Sequence, residues 1–130
     1  MEVLLLDNEG LMHTTLEFKL QKAGMVPVYI NQADEVTDVI KGRDIAIAIS
    51  SSGNSANIIN GLAAANKHSM KTIALVGFNG GSVKENNLAD TILHVNSNNY
   101  GVVEDTHMII LHALIQKLRK DRSAVSNPKL

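Results

Sequence analysis

Short apolar runs alternate along the whole chain with longer amphipathic stretches. The sharpest run is 45–49, Ile-Ala-Ile-Ala-Ile, with apolar side chains on both faces. That is the pattern of a parallel strand covered on both sides. Residues 3–6, 25–30, 71–76 and 91–95 read as four further strands. Between them, apolar positions recur at helical spacing. Leu11, Met12, Leu16, Leu20 and Ala23 mark a helix over 9–23, which Gly24 is placed to end. Val36, Val39 and Ile40 mark a helix within 31–42. Ile58, Ile59, Leu62 and Ala65 mark one over 54–68, and Val103, Ile110, Leu114 and Leu118 one over 101–120. A turn is expected at 78–81. Ser82 and Glu85 have the spacing of a capping box that opens a short helix.

Strict alternation of strand and helix implies an α/β fold with a parallel sheet and right-handed crossovers. Pro27 lacks the ladder N–H and puts its strand at an edge. The expected architecture is a doubly wound parallel five-stranded sheet, order 2-1-3-4-5, in a flavodoxin-like three-layer sandwich. One domain over 1–120 is expected, with residues 121–130 as a flexible tail without apolar period. The switch point of that order lies between strands one and three, so ligands should meet the loops 7–10 and 50–55.

The 50–55 loop carries the chemistry. It offers Ser50, Ser51, Ser52, Asn54 and Ser55, with Gly53 free to take a left-handed angle. Hydroxyls, backbone amides and the positive end of a helix together suit an anion, above all phosphate. Serine and asparagine are also ordinary helix N-caps, so the same residues read equally as capping. Asp7 and Glu9 are candidate ligands for a divalent cation; the alternative is that acids simply favour a helix N-terminus. His13 and Glu17 share a helix face at a spacing that can bind metal, a pairing common by chance.

Composition removes several functions. The 130 residues are 45% hydrophobic and 19% charged, the balance of a globular domain. Aromatics are only 3%, so the core is aliphatic. A net charge of -1 argues against nucleic-acid binding. There is no cysteine, which excludes disulfides and thiol chemistry. No apolar run approaches a membrane span, no membrane partner is expected, and residues 1–3 lack the basic start of a signal peptide, so a cytoplasmic location is expected.

Two resemblances sharpen the picture. The stretch Ala48-Ile-Ser-Ser-Ser-Gly-Asn-Ser55 resembles the phosphate loop of sugar isomerase (SIS) domains of the phosphoheptose isomerase branch. The likeness continues through 70–81, 88–91 and 104–112, covering about 44–120. By that resemblance, Ser50, Ser51, Ser52 and Ser55 hold a sugar phosphate. His112 matches the branch's catalytic histidine. Glu104 stands where the branch has a metal-binding glutamine, so a divalent metal is admitted, though no cofactor is certain. His107 reads as structural. Residues 1–43 instead resemble the first half of a response-regulator receiver, on Val3–Met12, Thr15–Gly24 and Asn31–Val36. The receiver's phosphoacceptor is missing: the third strand ends in Ile49-Ser50.

These likenesses together imply a chimera joined near 41–44; the competing view is a diverged SIS domain, since Leu6-Asp7-Asn8 also resembles the Leu-Thr-Asp-Asn stretch after that family's second strand. It would retain a SIS-type phosphate loop without full catalysis, because residues 1–42 do not supply the family's first glycine-rich loop. The alternatives are a phosphosugar aldose–ketose isomerase with His112 as base and Glu104 assisting, a receiver-like signalling domain, or a bare scaffold. The expected partner is a phosphorylated sugar or phosphate, and a homodimer is suggested by analogy alone.

Overall fold

A computed structural model describes residues 2–7, 21–22, 26–30 and 45–126. The elements in chain order are β1 (Glu2–Asp7), β2 (Val26–Ile30), β3 (Ile45–Ser50), α1 (Ala56–Lys67), β4 (Lys71–Val76), α2 (Gly81–Glu85), β5 (Thr91–His94) and α3 (Tyr100–Ser126). The helices expected over 9–23 and 31–42 lie outside the described residues, apart from the helical pair 21–22.

The five strands form one parallel sheet, in the order β2-β1-β3-β4-β5. Pro27 pairs with Val3 on the edge strand, the position in a sheet where proline is tolerated. β3 sits between β1 and β4, and Ala46, Ile47 and Ala48 are wholly buried.

The period of two along each strand splits the core into two layers. On one face Leu6, Ala46, Ala48, Ala74 and Val76 meet Ile58, Leu62 and Ala65 of α1 and Val83 of α2. On the other, Val3, Leu5, Ile47, Ile49 and Leu75 meet Leu111 and Ile115 of α3. Each fully buried Leu or Ile contributes about 1.5–3 kcal/mol. The face under α1 is built from alanines, and Gly61 brings that helix down onto the Leu6 side chain.

Two elements differ from the sequence expectation. α3 starts at Tyr100 and continues to Ser126, past the end expected near Lys120. The capping box at Ser82 does not form: α2 begins at Gly81 with Gly80 as N-cap, and no side chain of the cap residue bonds into it. Its amides find partners elsewhere, and those partners build the site.

Candidate functional site: the serine loop and the turn beneath it

β3 ends in Ser50, and the chain turns sharply over Ser51–Asn54 before α1. The Ser50 hydroxyl accepts the Gly53 N–H at 3.0 Å, closing the loop from inside. The Ser52 hydroxyl accepts the Asn54 N–H at 3.1 Å. Gly53 has φ +70, the left-handed region that glycine enters without strain. Ser50 and Ser51 are buried, Ser52 and Ser55 half-buried and Asn54 exposed.

Ser55 is the N-cap of α1 and has extended backbone, yet its hydroxyl makes no capping hydrogen bond. At Ser55 the capping expectation is therefore not met. A capping serine bonds an amide of the first turn. Here no such bond forms, and the hydroxyl sits at the positive end of a helix running from Ala56 to Lys67.

The loop rests on the turn between β4 and α2. Gly77 N–H donates to the Ser51 carbonyl at 2.8 Å. The first amides of α2 then reach across. Gly81 N–H donates to Asn79 Oδ1 at 3.0 Å, Ser82 N–H to Asn54 Oδ1 at 2.8 Å, and Val83 N–H to the Gly53 carbonyl at 3.1 Å. The short helix is therefore capped by the serine loop itself. The backbones interlock so closely that a Cβ on Gly53 would overlap the Gly80 carbonyl oxygen, and one on Gly81 the Ser52 carbonyl oxygen. Sequence reasoning missed this coupling, because a capping pair distant in sequence leaves no local spacing. The Gly80-Gly81 pair was its visible trace.

α3 passes the site from its N-terminal end downward. Val103 packs at Gly77, and His107 lies wholly buried beneath the turn. His107 Nε2 donates to the Val76 carbonyl at 2.9 Å, leaving Nδ1 buried without a partner. Burial pulls its pKa below the ordinary value; the Val76 bond and the Glu104 charge oppose that pull without overcoming it. The ring is neutral at pH 7 and structural.

Glu104 and His112 are both half-buried, His112 two turns further on, about 12 Å along the axis at 1.5 Å per residue. His112 Nε2 is buried and has no hydrogen-bond partner. No hydrogen bond joins Glu104 or His112 to the 50–55 loop among the described residues. The structure thus brings Ser50, Ser51, Ser52, Asn54 and Ser55 into one loop, and leaves the two α3 residues along the neighbouring helix. The side chain of Asp7, and all of Glu9, His13 and Glu17, lie outside the described residues. Among the described residues no three His, Asp or Glu side chains gather as a metal site, and no helix is long and apolar enough to cross a membrane. An open cavity of about 500 Å³ lies at the opposite end of β4, lined by Asn66, Lys71, Leu88 and Asp90, and touches none of these groups.

Comparison with known proteins matches the SIS domain over residues 14–115. Phosphoheptose isomerase from Dechloromonas aromatica is 42% identical over 73 residues, which are 55% of this chain and 37% of that protein. The Sulfurimonas denitrificans phosphoheptose isomerase is 40% identical over 78 residues, 60% of this chain and 39% of that protein. The chain thus spans about two fifths of the length of these curated relatives. Among solved structures, a phosphoheptose isomerase from Francisella tularensis superposes with a TM-score of 0.76 at 25% identity, covering 92% of this chain and 76% of that one.

These findings overturn the chimera. The SIS match begins at residue 14 and runs through the supposed junction near 41–44, so residues 14–43 are part of the same domain and not half a receiver. The flavodoxin-like label is corrected with it. Doubly wound parallel sheets recur across unrelated families, and an apolar pattern that sets strands and helices cannot tell those families apart. The chain belongs to the SIS domain family.

Proposed function

We propose that the 50–55 loop binds the phosphate of a phosphorylated sugar, and that this domain serves an aldose–ketose isomerase acting on such a sugar, a heptose phosphate being the first to test. The observation that carries the reading is the uncapped Ser55 hydroxyl at the head of α1, beside a loop whose Ser50 and Ser52 hydroxyls already accept backbone amides. Within this reading the five residues divide the work. Ser50 and Ser51 are buried and shape the loop, while Ser52, Ser55 and the Asn54 amide face the ligand. Asn54 Oδ1 is engaged by Ser82, which leaves its Nδ2 to donate.

Isomerisation moves a proton between adjacent carbons of the sugar. A base takes it from the carbon beside the carbonyl, giving an enediolate, and the proton returns to the neighbouring carbon. An imidazole suits that exchange at neutral pH. His112 is assigned as the base and Glu104 as the group that assists proton movement at the sugar oxygens. The match of His112 to the catalytic histidine of the phosphoheptose isomerase branch supports the assignment, and its Nε2 is buried without a partner, as is Nδ1 of the structural His107. The whole-enzyme relatives named above are phosphoheptose isomerases, which supports the substrate class.

Thermal unfolding with phosphorylated sugars, against the matched free sugars and salt, tests binding. A ligand at 100 times its Kd stabilises a fold by about 2.7 kcal/mol, a readable shift in Tm. No shift with any phosphorylated sugar removes the binding assignment. Turnover of a ketoheptose phosphate should disappear in His112→Ala, and unchanged turnover removes His112 as base.

A further inference from the structure

The turn beneath the serine loop is held by a side chain that the proposed mechanism does not use. Phe78 opens that turn with φ +48, a left-handed conformation unusual for a bulky residue. Three contacts keep it there. Its N–H donates to the Ser97 carbonyl at 3.0 Å. Its ring meets Tyr100 edge to face, with centroids 4.7 Å apart. Its carbonyl lies 2.7 Å from His94 Nε2 at the end of β5. The other ring nitrogen, Nδ1, lies 2.8 Å from Lys84 Nζ on α2.

This geometry determines the tautomer. A lysine ammonium has donors only, so the Nδ1 that faces it accepts. The proton therefore sits on Nε2 and is given to the Phe78 carbonyl. Lys84 in turn lies with its stem across Gly80. One imidazole thus ties β5, the β4–α2 turn and α2 together. The same turn donates Gly77 N–H to Ser51, and α2 donates Ser82 and Val83 N–H to Asn54 and Gly53.

We infer that His94 is a positioning residue for the serine loop: held as the Nε2–H tautomer between Lys84 and the Phe78 carbonyl, it pins that carbonyl and so fixes the turn on which Ser51, Gly53 and Asn54 rest. The inference rests on the phosphate reading of that loop. His94 touches no ligand itself. Its effect is on how well the loop's donors are aimed, and small misplacements of such groups are expensive.

The test uses the ¹⁵N-labelled chain, titrated with inorganic phosphate and with a phosphorylated ketoheptose, alongside His94→Phe, His94→Gln and Lys84→Met. Ring-nitrogen shifts of the wild-type chain should show His94 as Nε2–H. His94→Phe should bind at least about tenfold more weakly, with the Ser51 and Gly53 amide signals displaced. His94→Gln keeps a donor for the Phe78 carbonyl and should return affinity to within about threefold of wild type. Lys84→Met changes an exposed residue and leaves the Phe78 carbonyl in place, so the ring should stay Nε2–H there, a result that can be read even if His94→Phe does not fold. An Nδ1–H ring in the wild type or in Lys84→Met, or equal affinity in His94→Phe, overturns the inference. If the wild-type chain binds neither ligand, the phosphate reading fails by itself. The amide signals then decide His94: displacement in His94→Phe but not in His94→Gln sustains the clamp, and its absence removes it.

Discussion

Replacing Ser55 by alanine separates a capping serine from a binding one. A serine that caps a helix loses about 1 kcal/mol of stability on truncation to alanine. Ser55 makes no capping bond, so Ser55→Ala should leave stability within about 0.5 kcal/mol of wild type. Binding should respond the other way. A hydrogen bond to a charged group contributes about 1.5–3 kcal/mol, and each 1.4 kcal/mol is a factor of ten in Kd. Loss of the Ser55 hydroxyl should weaken phosphorylated-sugar binding by about 10- to 100-fold. Ser50→Ala is the matched opposite. Its buried hydroxyl accepts the Gly53 N–H at 3.0 Å, and removing it strands that amide. An unsatisfied buried donor costs about 1–3 kcal/mol, so Ser50→Ala should lower the urea midpoint clearly. Urea unfolding and calorimetric titration on the two variants give all four numbers. If Ser55→Ala loses a kilocalorie of stability and keeps its affinity, Ser55 is a cap and the phosphate reading of this loop is wrong.

Gly53→Ala forces a side chain into a left-handed position and onto the Gly80 carbonyl oxygen. It should cost more than about 2 kcal/mol by denaturant unfolding, and a change under 0.5 kcal/mol would contradict the interlock. Leu111→Ala empties a fully buried site under α3 and should cost about 2–5 kcal/mol in the same assay. His107 sets a pH dependence whose sign follows from burial. Its folded pKa lies below the ordinary 6.5, so below that pH the unfolded chain binds the proton more readily than the folded one. Stability from this group is complete above pH 6.5 and falls with acidification toward the lowered folded value. His107→Gln, which can still donate to the Val76 carbonyl, should flatten the Tm profile in that window, and an unaltered profile would refute the assignment.

The apolar pattern carried much of the local structure by itself. The run Ile-Ala-Ile-Ala-Ile at 45–49 had to be buried on both faces, and Lys71–Val76 is a strand with the bounds its pattern implies. The family signal was also local, concentrated in the serine loop and the last helix, where it is carried by runs of consecutive residues. It misled at residues 1–43, where the apolar pattern of an ordinary α/β chain resembles several families at once. Three things were decided only in the folded molecule. Whether Ser55 caps or stays available depends on backbone geometry at the start of α1, which residue type does not set. The start of α2 is governed by Asn54 and Gly53, because a helix amide takes whichever acceptor the fold brings near. His94, one polar residue at the end of a short strand, becomes a clamp because parallel β4 and β5 set it beside the Phe78 carbonyl and the Lys84 ammonium. Sequence determines which segments must be buried, since hydrophobic burial follows residue type and period. Tertiary structure decides which polar groups meet, since hydrogen bonds depend on distances between residues far apart in the chain.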